Sequence, residues 1–283
     1  MDVVELELAL RTPFDGDGLL EWLRPRAIEG VEAVGQNTYA RVVTLPHGVG
    51  AMELTLHGDH VGARFQLADP GDLDVAVRRS RRLLDLDADP VVIDAALSED
   101  PLLAALVEQV PGIRLPGQVD GFEVAMRAIV GQQVSVARAR TMLGQIARTR
   151  GREVELELAR EHGLSHAFAT AESLAEASLE EFPMPRARGR AILAVAHAVA
   201  SGDLDVGPDA DRESARSGLL AIRGIGPWTA DYFAMRALGH PDVLLDTDLV
   251  LRRVLAREEL DRTRTDRWRP WRSYASLHLW RVA

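Results

Sequence analysis

The chain has 283 residues, 47% of them hydrophobic, no cysteine, and a formal net charge of −10. That length allows two or three domains with a substantial core. The missing cysteines exclude a disulfide, a thiol nucleophile and a cysteine-ligated cluster. All 33 basic residues are arginine, which excludes a lysine Schiff base, because a guanidinium stays protonated. No apolar run is long enough to span a bilayer. The N-terminus lacks the basic-then-apolar order of a signal peptide, so the expected location is the cytoplasm.

From the N-terminus, Val4, Leu6, Leu8 and Leu10 alternate with Glu5, Glu7 and Ala9, the pattern of a half-buried strand. A short helix is predicted over 18–23. Strands follow over 38–45, 51–57 and 61–67, separated by turn signals at Pro46-His47-Gly48 and His57-Gly58-Asp59. A helix is predicted over 72–86, with Arg78, Arg79, Arg81 and Arg82 in solvent. This makes a small antiparallel α+β domain, residues 1–88. Beyond Pro90 the pattern is helical, over 91–97, 101–109, 120–131, 134–149, 172–179, 186–200, 210–221, 227–238, 247–257 and 264–280. Val154 to Leu158 alternates like a strand, but its setting indicates an irregular connection or a short helix. His47, His57 and His60 sit at strand–turn positions without supporting acids, so no metal site is expected there.

Leu219 to Arg253 holds the chemistry. A helix runs into Gly224-Ile225-Gly226 and another starts at Pro227. The glycines permit backbone angles that a side chain forbids, and proline suits a first helical turn. The resulting helix-hairpin-helix leaves backbone N–H groups facing outward, a site for a phosphate. Trp228 and Tyr232 share a helix face. Asp248 opens the next helical pattern, where a helix N-terminus favours negative charge.

Gly224-Ile-Gly-Pro-Trp-Thr-Ala-Asp-Tyr-Phe-Ala-Met235 followed by Asp248 resembles the signature of the 3-methyladenine (alkylbase) DNA glycosylase II family, within the helix-hairpin-helix glycosylase superfamily. Phe122-Glu-Val-Ala-Met-Arg-Ala-Ile-Val-Gly-Gln-Gln-Val-Ser-Val136 and Arg267-Trp-Arg-Pro-Trp-Arg-Ser-Tyr-Ala-Ser-Leu-His-Leu-Trp280 are second and third matches. The resemblance implies a two-lobed all-α glycosylase domain over residues 89–283. Its lobes would be roughly 114–236, and 89–113 plus 237–283, with the active site between them. The N-terminal segment resembles that family's first domain more weakly.

What the resemblance implies for single residues follows from position. Asp248 is the expected catalytic aspartate, with Asp246 the alternative. Relatives often have a second acid at Thr247 and a proline at Leu245, which puts the local backbone in question. Trp228, Tyr232, Trp280 and Trp22 fall at base-pocket positions. Gly224, Ile225, Gly226 and Thr229 fall in the DNA-binding hairpin. Gln133 matches the residue that relatives insert into the gap left by a flipped nucleotide, and Arg272 and Ser273 either hold structure or reach the DNA backbone. The family's hairpin also carries a monovalent cation on backbone carbonyls, here those of Leu220, Ile222 and Ile225; no catalytic metal and no other cofactor is expected. His278 is expected to be packed.

The function expected from these residues is hydrolysis of the N-glycosidic bond of alkylated bases, chiefly 3-methyladenine and 7-methylguanine, by base flipping in double-stranded DNA. The protein would act as a monomer, associated with the nucleoid. The position after Pro227, lysine in lyase relatives, is Trp228, so no lyase step is expected. The alternatives are a glycosylase for oxidised or deaminated bases and a lesion-binding protein without catalysis. The net charge looks wrong for a DNA binder. Yet residues 1–113 carry −11 and residues 114–283 carry +1, so a local positive face is expected, with arginine clusters at 186–190 and 262–272. Non-specific affinity should be modest and salt-sensitive.

Overall fold

A computed structural model describes residues 2–282. It is an α+β protein whose first 67 residues hold five antiparallel strands and one α-helix, with the other helices after them. The strands are β1 (Val3–Ala9), β2 (Glu32–Val34), β3 (Thr38–Leu45), β4 (Gly48–Leu56) and β5 (His60–Leu67). Their order in the sheet is β1-β5-β4-β3-β2. β2 was not expected, since three residues carry no measurable alternation; pairing with β3 creates it.

The described residues also form fourteen α-helices: α1 (Gly16–Leu23), α2 (Leu73–Leu83), α3 (Pro90–Leu97), α4 (Pro101–Gln109), α5 (Gly121–Val130), α6 (Val136–Arg150), α7 (Glu157–Glu161), α8 (Ala171–Ala175), α9 (Arg186–Ala200), α10 (Arg212–Ala221), α11 (Pro227–Arg236), α12 (Leu249–Arg257), α13 (Arg262–Thr265) and α14 (Arg272–Arg281). Their starts are written in the sequence. Asp89, Asp100, Asp120, Ser135, Asp211 and Asp248 each accept a hydrogen bond from a first-turn amide, and Pro90, Pro101 and Pro227 follow as first-turn prolines.

Two predicted helices are corrected. Residues 264–280 do not form one helix, because the chain breaks between α13 and α14 around Pro270, which cannot donate to a helical ladder. Residues 172–179 shorten to α8, after which Ser178 and Glu181 start a separate 3-10 turn. The strand-like run at 154–158 leads into α7, and the bridge Glu153–His166 is the isolated pairing nearby.

One face of the sheet packs with α1, α2 and Val119, around Tyr39, Leu54 and Phe65. Its other face, through Ala40, Val42 and Ala51, meets Val154 to Ala167. A second core gathers residues from Phe122 to Leu238, and also holds Ile28 and Val31. A third joins residues 93–115 to 234–279. Arg41 and Glu32 from the sheet interlock with Glu123 and Arg127 of α5, the first three buried and Arg127 partly exposed. Arg127 also donates to the backbone carbonyl of Arg26 at 2.9 Å. The network thereby holds the segment after α1 against α5.

Candidate active site

Asp248 caps α12. Its Oδ1 accepts from the amides of Val250 and Leu251, each at 3.0 Å, and from the indole N–H of Trp280 at 3.2 Å. Its Oδ2 accepts from the indole N–H of Trp228 at 3.1 Å. Oδ1 therefore has three donors and Oδ2 one, which leaves Oδ2 with free acceptor capacity. Asp246 is exposed in the preceding turn. Asp248 is thus the acid that meets the aromatic residues expected around it.

Those rings come from three parts of the fold. Trp228 stacks on Tyr232, one turn on, with centroids 5.1 Å apart. Trp280 of α14 stacks on Trp22 of α1 at 5.5 Å. Trp22, expected at a base-pocket position, is partly buried. Arg26 lies over that ring at 3.5 Å and donates to the Trp22 carbonyl. Trp22 is thus packed against both Arg26 and Trp280. Burial brings Arg26 down to about 10, still charged at neutral pH.

Buried Arg236 lies 5.5 Å from the Tyr232 ring, donates to the Tyr232 hydroxyl at 2.8 Å and anchors on the carbonyls of Pro116 and Gly117. Sequence reasoning missed Arg26 and Arg236. Their signal was faint, since each is one arginine among 33.

The hairpin joins α10 to α11. Gly224 has φ +98°, the conformation that favours glycine, and Gly226 is extended at φ −101°. Among the described residues, no backbone carbonyl takes the amides of Gly224 or Gly226. The side chain of Ile225 is buried, so this residue anchors the turn. The turn carbonyls keep acceptor capacity. Those of Leu220 and Ile225 accept no backbone amide among the described residues, and that of Ile222 accepts one, from Ile225.

Three expected DNA contacts are placed differently. Ser273 has no exposed surface; its hydroxyl donates to the His240 carbonyl and accepts from the Val243 amide. Arg272 is spent on Asp242 and Asp266. Both tie α14 to the loop after α11. Thr229 is buried and its hydroxyl oxygen accepts from Gln132. Gln133, by contrast, is exposed at the tip of the α5–α6 loop.

His278 is buried, as expected of a packed residue. Among the described residues one group of side chains has metal-ligand spacing, Glu53, Glu161 and His162, and Arg64 ion-pairs with both glutamates.

Residues 5–120 match the family model described as the AlkA N-terminal domain. A Mycobacterium tuberculosis protein named "Probable bifunctional transcriptional activator/DNA repair enzyme AlkA" is 42% identical over 98% of this chain. The chain spans only 56% of that protein's length. DNA-3-methyladenine glycosylase 2 of Escherichia coli is 34% identical over 95% of this chain and 94% of its own. In fold, the chain is similar to a 3-methyladenine DNA-glycosylase from Archaeoglobus fulgidus, with TM-score 0.81, 20% identity and 98% of each chain covered.

Proposed function

Because the chain belongs to the DNA-3-methyladenine glycosylase II family, we propose that it is a monofunctional DNA glycosylase that hydrolyses the N-glycosidic bond of alkylated bases, chiefly 3-methyladenine and 7-methylguanine, in double-stranded DNA. The observation that carries this reading is the Asp248 carboxylate, held between the indole N–H groups of Trp228 and Trp280.

Flipping a nucleotide costs a few kcal/mol of stacking and pairing. The hairpin amides of Gly224 and Gly226 would grip a backbone phosphate, and Gln133 would fill the gap. The carbonyls of Leu220, Ile222 and Ile225 would hold a monovalent cation, adding positive charge beside that phosphate. The flipped base would stack against the aromatic cluster, and its sugar would lie beside Asp248 Oδ2. Cleavage of the bond develops positive charge on the sugar. A preorganised carboxylate stabilises that charge, and Oδ2 can also orient the attacking water. N3- and N7-alkylated purines already carry positive charge, so they leave without a strong general acid, and a cationic base gains from stacking on electron-rich rings.

With no lysine in the chain, the product would be an intact abasic site. The test is chromatography of bases released from methylated duplex DNA, with gel analysis of the strand before and after alkali. Release of 3-methyladenine and 7-methylguanine, with strand breaks only after alkali, supports the reading. Breaks without alkali contradict the monofunctional assignment, and no release contradicts the glycosylase assignment.

A further inference from the structure

The α5–α6 loop carries two neighbouring glutamines with opposite placements. Gln133 is exposed, with its backbone at φ +55°. Gln132 turns inward, and its amide Nε2 donates to the Thr229 hydroxyl oxygen at 3.0 Å and to the Gly224 carbonyl at 3.2 Å. The Gln132 carbonyl accepts from Arg188 of α9, whose other terminal nitrogen reaches the Val130 carbonyl. Gly224 is the turn of the hairpin and Thr229 adjoins Trp228, so one side chain spans from the α5–α6 loop to both ends of the phosphate site.

We propose that Gln132 is a positioning residue that fastens the Gln133 loop to the hairpin, so that phosphate capture and filling of the gap in the duplex occur as one rigid-body event. This rests on the reading of Gln133 as the gap-filling residue and of the hairpin as the phosphate clamp. The chemistry of the amide suits the task. Its two N–H groups meet two acceptors, and the carbonyl it grips belongs to the turn whose glycine amides take no backbone carbonyl among the described residues. Arg188 holds the same residue from its backbone side. The left-handed turn at Gln133 then aims that side chain away from the protein while its neighbour is pinned. A glutamate at 132 would bring acceptors to the Gly224 carbonyl, and a leucine would fill the space without donating.

The test uses the full chain and a duplex with a stable tetrahydrofuran abasic site opposite 2-aminopurine. Anisotropy reports binding, and 2-aminopurine fluorescence reports filling of the gap. The expected result is that Gln132→Leu binds unmodified duplex within about threefold of wild type but loses the fluorescence change, as Gln133→Ala does. Base release then falls about tenfold in both, and the double variant falls no further. Thr229→Val, which removes the acceptor but keeps the shape, should move the same way, which separates lost coupling from misfolding of a single variant. A residue that merely stabilises the fold would lower the melting temperature and leave the fluorescence change in place. If Gln133→Ala abolishes the fluorescence change and Gln132→Leu does not, or if their effects multiply, the proposal is overturned while the gap-filling reading survives. If Gln133→Ala leaves the change intact, that reading falls and the proposal with it.

Discussion

Trp280 donates its indole N–H to Oδ1 of Asp248, 3.2 Å away and 32 residues earlier in the chain. Trp228 does the same to Oδ2 at 3.1 Å. The two contacts are not equivalent. Oδ1 keeps two backbone amides when Trp280 is changed, whereas Oδ2 keeps no other hydrogen bond among the described residues. Trp228→Phe should therefore slow single-turnover base release about tenfold, the effect of one donor worth roughly 1.4 kcal/mol. Trp280→Phe should slow it less. The comparison is a rate measurement on methylated duplex with both variants.

The two hairpin glycines should respond differently to alanine. A Cβ on Gly226 meets nothing within 4 Å, and its φ is ordinary. Gly226→Ala should melt with the wild type yet bind DNA more weakly, because the methyl group stands where a phosphate would approach. Gly224 has φ +98° and a neighbour, Ala191, at 3.4 Å. Gly224→Ala should lose about 1–2 kcal/mol of stability as well as affinity. Melting curves and anisotropy together separate the two.

Burial pushes the His278 imidazole down to about 4, with Arg281 acting in the same direction and Asp15 opposing it. Because the folded state resists protonation, stability present above the unfolded value of about 6.5 falls as pH drops towards 4, by roughly 3 kcal/mol. Asp85, raised to about 6 by burial, works the other way below pH 6. The contribution of His278 is therefore read as the difference between wild type and His278→Leu. That difference should shrink steadily in denaturant titrations from pH 7 to pH 5.

Glu123 holds Arg41 and Arg127 in a setting with almost no solvent. Glu123→Gln leaves buried Arg41 and largely enclosed Arg127 short of a counter-charge and should cost roughly 3–5 kcal/mol. The Arg26 backbone is tied to the same network through Arg127, so DNA-bound base release should fall further than the loss of folded protein explains.

The legible parts of the site were those encoded by short spacing. The Gly224–Pro227 turn, the Trp228–Tyr232 pair and the cap at Asp248 each follow from residues within one or two helical turns. Pro270 also carried a readable signal, a break inside the run read as 264–280. The illegible parts depend on contacts that cross the chain. Three-residue β2 exists because β3 pairs with it. Arg26 covers Trp22, and buried Arg236 supports Tyr232, through folding that no local pattern encodes. Arg272 and Ser273 carried two readings, structural or DNA contact, and only the fold shows that they hold α14 to the loop at Asp242.

The most direct test of the account is single-turnover base release by Asp248→Asn, with DNA binding measured in parallel. Asparagine still caps α12 but removes the negative charge proposed to stabilise the sugar. The account predicts near-wild-type DNA binding, with release of 3-methyladenine slowed at least about a hundredfold. Release at the wild-type rate by a folded, DNA-binding Asp248→Asn would contradict it.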